Sequence, residues 1–166
     1  MSNLREYAAE RMDLYLRYGP ALVRKARRML GNEADAQDIV QALFVRLLAE
    51  GIAEIDLPYL YRAVTHNCLT WLRDHHNRAR LLERQAAALQ PGARTRCDEL
   101  ALGQDLLLKL LGELSERESA VLVYRFLDDC SQEEIAELLQ TSRKTVGKDL
   151  ARVRAAVERL QREGDA

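Results

Sequence analysis

The order of apolar and polar positions along the chain follows the helical period nearly throughout. Apolar side chains recur at three- and four-residue steps, whereas alternating β-branched runs joined by Asn-Gly turns are absent. In residues 33–50 the apolar positions that share one helical face are Ala36, Ile39, Val40, Leu43 and Leu47. Gly51 then ends the run. We therefore expect an all-α protein.

Two further segments in the first half of the chain carry helix signals. Residues 4–30 are interrupted by Gly19-Pro20, and because proline suits the first turn of a helix, we predict two helices that form a bent pair. Another helix should begin at Leu57-Pro58, with Asp56 as its cap, and continue through YLYRAVTHNCLTWLRDHHNRARLLERQ.

A change in composition divides the chain after these helices. The stretch AAALQPGARTR, which begins at Ala86, contains Pro-Gly and few large apolar side chains, as linkers do. We predict two small helical domains, 1–85 and 98–166, joined by a linker at 86–97.

The second domain contains the pattern of a helix-turn-helix, at about residues 131–152. Capping boxes at Ser115 and Ser131, each with Glu three residues later, mark two helix starts. After Ser131 come a short helix, QEEIAELLQ, a break at Thr141-Ser142, and a longer helix, RKTVGKDLARVRAAVERLQRE.

The sequence of the longer helix predicts that one face is apolar and the opposite face is basic. Its core stripe is Val146, Leu150, Val153, Val157 and Leu160. The opposite face carries Lys144, Lys148, Ala151, Ala155 and Arg159, with Arg143 and Arg152 at its flanks. Such a slim basic face can enter a major groove, and Ser142 can cap the helix while leaving amides free for a phosphate. The alternative interpretation is a solvated face of an amphipathic helix.

Composition limits the other possibilities. The formal net charge of −1 argues against unspecific coating of nucleic acid by the whole molecule. Any binding to DNA must therefore come from a local cluster of positive charge.

Cys68, Cys97 and Cys130 form no Cys-x-x-Cys pair, and His75-His76 has no third ligand, so we expect reduced thiols, no metal and no cofactor. The sequence has no Walker loop, dinucleotide glycine motif or nucleophile elbow, which argues against an enzyme. It has no secretory signal and no bilayer-spanning run, so we expect a cytoplasmic protein.

The stretch LSERESAVLVYRFLDDCSQEEIAELLQTSRKTVGKDLARVRAAV resembles the minus-35-reading domain of bacterial RNA polymerase sigma factors. That domain usually reads close to LPERxRxVxxLRxxEGxSxxEIAxxLGxSxGTVKxRLxRAR. The resemblance implies that the DNA-binding residues are Ser142, Arg143, Lys144, Thr145, Lys148 and Arg152. The chain departs from the family at Gln140, where a turn glycine is usual, at Gly147, where Lys is common, and at Asp149, where Arg is common.

The stretch DAQDIVQALFVRLL resembles the sigma-factor helix DAEDxVQExFxRxW, which docks on a coiled coil of the largest polymerase subunit. The resemblance carries polymerase docking, or its support, to Asp35, Asp38, Gln41 and Phe44. For Ile39, Val40, Leu43 and Leu47 we expect a core role.

The stretch YLYRAVTHNCLTWLRDHHNRAR resembles the family's helix that melts and reads the minus-10 element. Aromatic or imidazole planes can stack on melted bases while Arg binds phosphates. The candidates are Tyr61, Arg62, His66, Asn67, Trp71, Arg73, Arg78 and Arg80. His66 and Thr70 stand where Asn and Asp are usual, and tryptophan is more often a core residue than a ligand.

Together these segments identify the chain as similar to the compact, two-domain extracytoplasmic-function sigma factors. The resemblance implies a protein that binds core RNA polymerase and promoter DNA, recognises minus-35 and minus-10 elements, and is held inactive by an anti-sigma factor that is often membrane-associated. The main alternative is an autonomous helix-turn-helix regulator with an N-terminal sensing domain. A structural helical adaptor would explain the core but not the two ordered motifs.

Overall fold

The computed structural model describes residues 2–52, 55–89 and 99–164. Within those ranges the chain forms helices and no strand, which confirms the predicted all-α class. The helices are α1 (Ser2–Leu30), α2 (Glu33–Glu50), α3 (Leu57–Leu89), α4 (Glu99–Glu113), α5 (Glu116–Phe126), α6 (Gln132–Leu138) and α7 (Arg143–Gly164).

The chain divides into two compact units, Met1–Cys68 and Leu69–Ala166, and the division falls inside α3. α3 continues to Leu89, so the first four residues of the predicted linker at 86–97 are helical. Three of them are alanines, which have the highest helix propensity. The rest of that linker lies outside the described residues, and the domain limits at 85 and 98 stay a prediction.

α1 runs without a break through Gly19-Pro20, so the predicted bent pair of helices is wrong. Gly19 is buried, and a Cβ atom there would lie 3.3 Å from Cδ2 of Tyr15. The Tyr15 ring in turn meets the edge of Phe44 of α2, with ring centroids 5.1 Å apart at 84°. Packing of the Tyr15 ring between Gly19 and Phe44 explains the glycine better than a turn does, and no local rule predicts the contact with Phe44.

The core of the first unit is aliphatic and comes from all of its helices. Its fully buried side chains include Leu22, Val40, Leu43, Leu47, Leu60 and Val64. Asn32 caps α2, because its side-chain oxygen accepts hydrogen bonds from the amides of Ala34 and Asp35. At the other end Gly51 adopts the left-handed conformation, with φ of 61°, which confirms that it ends the helix.

The second unit contains the predicted helix-turn-helix. Both capping boxes are present: Ser115 pairs with Glu118 at the start of α5, and Ser131 pairs with Glu134 at the start of α6. A core cluster joins the helices α4, α5 and α7 through Leu110, Leu114, Leu122, Val153 and Ala156. The predicted apolar stripe of α7 faces inward, since Val146, Leu150 and Val153 are buried and Val157 and Leu160 pack against the cluster.

Gly147 lies inside α7 with open space beside it. A Cβ atom at this position would meet nothing closer than Oε1 of Gln132, at 4.0 Å. We expect Gly147→Ala to raise the free energy of unfolding by about 0.5–1 kcal/mol, because alanine loses less backbone entropy in a helix. Urea unfolding followed by circular dichroism measures this change, and a lower midpoint in the variant would contradict it.

Candidate nucleic-acid interface

The start of α7 is organised by Ser142. Its Oγ accepts a hydrogen bond from the amide of Thr145 at 3.1 Å, and the two hydroxyl oxygens lie 2.9 Å apart. The predicted cap is therefore present. Ser142 is exposed and Thr145 half-buried, so both hydroxyls lie beside the first turn of the helix, where backbone amides favour a bound anion.

The outward face of α7 is basic, but its cations differ in their partners. Lys144 and Lys148 are exposed, and no acidic side chain in residues 2–52, 55–89 and 99–164 pairs with either. The arginines, in contrast, form ion pairs within the unit: Arg143 with Glu133, Arg152 with Glu118, and Arg159 with Glu113. A phosphate at this face would therefore reach the two lysines without first breaking an ion pair.

Asp149 lies on the inner side of α7. It is 1% exposed, and its carboxylate accepts hydrogen bonds from Nε and Nη2 of Arg117 on α5, at 2.8 and 3.1 Å. These hydrogen bonds, with the charge of Asp149, raise the pKa of the Arg117 guanidinium above its usual value. Asp149 therefore connects two helices and does not belong to the outward basic face of α7.

Glu118 connects the same two helices a second time. The backbone amide of Ser115 donates to its carboxylate at 2.9 Å, and Nη1 of Arg152 donates to it at 3.1 Å. The Ser115 amide, followed by the Ser115 hydroxyl and Arg152, lowers the pKa of Glu118 despite its burial. Glu118 therefore stays ionised as a partner of Arg152.

Tyr61 is the first minus-10 candidate along α3, and one face of its ring is occupied. Nζ of Lys25, which is 2% exposed, lies 4.0 Å from the ring centroid, within the range of a cation–π contact. Arg62 and Asn67 are half-buried, and His66 is exposed. A base could stack on Tyr61 only from the side away from Lys25.

Trp71 and His75 form a stacked pair on α3. Their ring centroids are 4.6 Å apart and the rings are nearly parallel, at 7°. Trp71 is half-buried and His75 exposed, so the indole is neither a core residue nor a free surface ring. Sequence reasoning named Trp71 as a candidate but considered His75 as a metal ligand, although their four-residue spacing could have revealed the pair.

The remaining minus-10 candidates differ in their surroundings within the second unit. Nη2 of Arg73 donates to Oγ of Ser119 at 2.8 Å, and its Nε donates to the carbonyl oxygen of Leu111 at 3.4 Å. Arg78 and Arg80 are exposed. Arg73 must break these two hydrogen bonds before its guanidinium can bind a phosphate.

The docking candidates on α2 separate into exposed and supporting residues. Asp38 and Gln41 are exposed and Asp35 is half-buried, whereas Phe44 is buried against Tyr15. Phe44 can therefore support a docking surface but not contact a partner directly. Two exposed apolar residues that sequence reasoning missed, Val45 and Leu48, follow Asp38 and Gln41 on α2. The position of Val45, four residues after Gln41, is the signal that could have revealed it.

The other sequence expectations concern ions, thiols and membranes. In the part of the chain that the structure describes, no three His, Cys, Asp or Glu side chains are close enough to hold a metal ion. Burial raises the pKa of the Cys68 thiol to about 12. Neither Cys68 nor Cys130 forms a disulfide among the described residues, and Cys97 lies outside those residues. None of the described helices has a stretch both long and apolar enough to cross a bilayer.

Comparisons with known proteins match both halves of the chain. A family model described as Sigma-70 region 2 matches residues 14–78, and one described as Sigma-70, region 4 matches residues 104–157. The chain is 33% identical over 163 residues to an RNA polymerase sigma-E factor of Streptomyces avermitilis, covering 95% of this chain and 83% of that protein.

A second relative is similar over the same extent. It is an RNA polymerase sigma-E factor of Streptomyces coelicolor, 31% identical over 163 residues, covering 95% of this chain and 84% of that protein. Among solved structures, the Bartonella quintana sigma factor RpoE, crystallised in complex with the anti-sigma factor NepR, aligns with a TM-score of 0.48 and 19% identity. That alignment covers 91% of this chain and 96% of the other.

Proposed function

The chain belongs to the sigma-70 family of RNA polymerase sigma factors, in its extracytoplasmic-function type, and we propose that it binds core polymerase through α2 and reads promoter DNA through α3 and α7. As a sigma factor it directs promoter recognition in transcription initiation. Sigma factors are non-enzymatic, and we propose that this chain likewise does no chemistry of its own and acts in the cytoplasm, where its polymerase is.

The exposed basic face of α7 is the observation that carries the proposal. Lys144 and Lys148 lie on it without an acidic partner among the described residues, inside the segment matched to region 4. Their ammonium groups would hold phosphates on either side of a major groove. Arg143 and Arg152 would exchange Glu133 and Glu118 for phosphates, and Ser142 and Thr145 would present the first turn of α7 to the backbone.

This assignment predicts how the lysines respond to salt. Lys144→Ala and Lys148→Ala should each weaken holoenzyme binding to all minus-35 sequences alike and reduce the log–log salt slope by about one, because each lysine displaces one counterion from DNA. Equilibrium binding of the polymerase complex over a salt series measures the slope. Lys109→Ala, on α4, is the matched control. If both α7 variants keep the wild-type slope, the basic face is only solvated.

For the minus-10 element we propose that α3 binds the melted strand with two kinds of side chain. The Trp71–His75 stack and the Tyr61 ring offer planes for bases, and His66 and Asn67 lie on the helix between them. Arg62, Arg73, Arg78 and Arg80 would hold phosphates, Arg73 only after it leaves Ser119. This proposal rests on the match of residues 14–78 to region 2.

A comparison of two templates tests the minus-10 proposal. His66→Ala and Asn67→Ala should lower transcription from duplex promoters by about tenfold, since one lost base contact is worth about 1–3 kcal/mol. Templates opened in advance around the minus-10 element should lose less, because the cost of melting has been removed. Asp74→Ala, an exposed residue of the same helix, is the control. An equal loss on both templates would indicate a structural role instead.

We propose two partners besides promoter DNA. The first is core RNA polymerase, which Asp38 and Gln41 would contact while Phe44 holds the helix in place and Asp35 supports its first turn. The second is an anti-sigma factor, either membrane-associated or not, because members of this family are commonly held inactive by such a protein.

A further inference from the structure

Gly147 is a glycine that the fold itself does not require. It is helical, and the space beside it is empty except for Oε1 of Gln132, which would lie 4.0 Å from an added Cβ atom. A glycine inside a helix lowers its stability relative to alanine. Since neither packing nor backbone conformation explains the residue, its explanation must lie at the outer surface.

Gly147 borders the face of α7 that the proposed function places against DNA. At about 100° per residue, it lies about 60° from Lys144 and about 40° from Ala151 around the helix axis. It also follows Arg143 by one turn, on the edge of α7 that meets the start of α6. There Arg143 pairs with Glu133 at 2.9 Å, and the neighbouring Gln132 lies beside Gly147.

The side chain of Gln132 is available for a ligand. It is half-buried, and none of the residues in the described ranges hydrogen-bonds to its amide. Its neighbours are occupied, because Ser131 caps α6 and Glu133 pairs with Arg143. The amide carries both donors and an acceptor, so in the unbound chain it hydrogen-bonds to water and can exchange that water for a ligand.

We propose that Gln132 is a specificity-determining residue of minus-35 reading, and that Gly147 leaves the space through which its amide reaches an adenine in the major groove. Adenine presents an N7 acceptor and an N6 donor that one glutamine amide can satisfy together. A lysine at position 147 would cover this amide with its side chain. It would also replace a bidentate amide contact with the single charge of an ammonium group. The inference rests on the proposed function, because it assumes that α7 faces the minus-35 element.

The test uses the polymerase holoenzyme with promoters randomised in the minus-35 element. For the wild-type chain we expect one position at which adenine is preferred by about tenfold, as a bidentate amide contact gives. Gln132→Ala and Gly147→Lys should both abolish that preference, whereas Gln161→Ala, at an exposed position near the end of α7, should keep it. Gln132→Glu should move the preference toward cytosine, because a carboxylate accepts from cytosine N4.

The outcomes separate this inference from the function on which it rests. A wild-type holoenzyme without any minus-35 preference would overturn both. A normal preference that Gln132→Ala leaves unchanged would overturn the inference alone. Equal weakening of all sequences by Gln132→Ala would also overturn it, since that result assigns the amide to a phosphate. Circular dichroism of each variant shows whether helicity is retained, and Gln132→Glu keeps the test independent of any misfolding of Gly147→Lys.

Discussion

Replacing Asp38 with Lys is expected to lower the affinity of the chain for core polymerase by about 100-fold, because a reversed charge at a complementary interface costs several kcal/mol. Asp38 is exposed on α2, inside the segment that matches region 2. Its side chain belongs to no core, so helicity and stability should stay as in the wild type. Fluorescence anisotropy of a labelled chain titrated with core polymerase measures the change.

Two further variants make the Asp38 result specific. Glu163→Lys changes the net charge equally at an exposed position near the end of α7, and it should bind as the wild type does. Val45→Ser removes an exposed apolar side chain two turns after Asp38, and it should weaken binding if the docking surface extends along α2. Wild-type affinity in Asp38→Lys would exclude this residue from the interface.

Asp149→Arg is expected to lower the free energy of unfolding of the second unit by about 3–5 kcal/mol, because it puts an unpaired positive charge at a buried position. The carboxylate is buried and takes two hydrogen bonds from Arg117. Arginine at this position would place a second positive charge beside that guanidinium, although arginine is common in the family pattern here. Urea unfolding followed by circular dichroism measures the loss.

The isosteric variant Asp149→Asn is the matched control. It keeps the size of the side chain and one acceptor oxygen for Arg117, so its loss of stability should be smaller than that of Asp149→Arg. If both variants unfold at the wild-type urea concentration, the contact between Arg117 and Asp149 does not stabilise the unit. In that case the arginine of the family pattern would be equally compatible with this fold.

Features that depend on neighbouring residues were predictable from the sequence. The capping boxes at Ser115 and Ser131 were found because each needs only a glutamate three residues later. The apolar stripe of α7 followed from helical periodicity in the same way, and so did the outward position of Lys144 and Lys148.

Features that join distant residues were not predictable. Arg117 and Asp149 are 32 positions apart, and Arg152 and Glu118 are 34 apart, so no local pattern pairs them. The same limit bears on the wrong break at Gly19-Pro20, since the Tyr15 ring that lies against Gly19 packs on Phe44, which is 29 positions further along the chain. Gln132 was missed because its relation to Gly147 exists only when α6 and α7 are folded together.

Transcription by purified core polymerase from a library of genomic fragments, with and without the chain, tests the central claim most directly. We predict discrete start sites that need the chain and that share two upstream elements, one near minus 10 and one near minus 35. An autonomous regulator would bind duplex DNA unaided and add no start sites to those of core polymerase alone. That second result would contradict the assignment of this chain as a promoter-directing sigma factor.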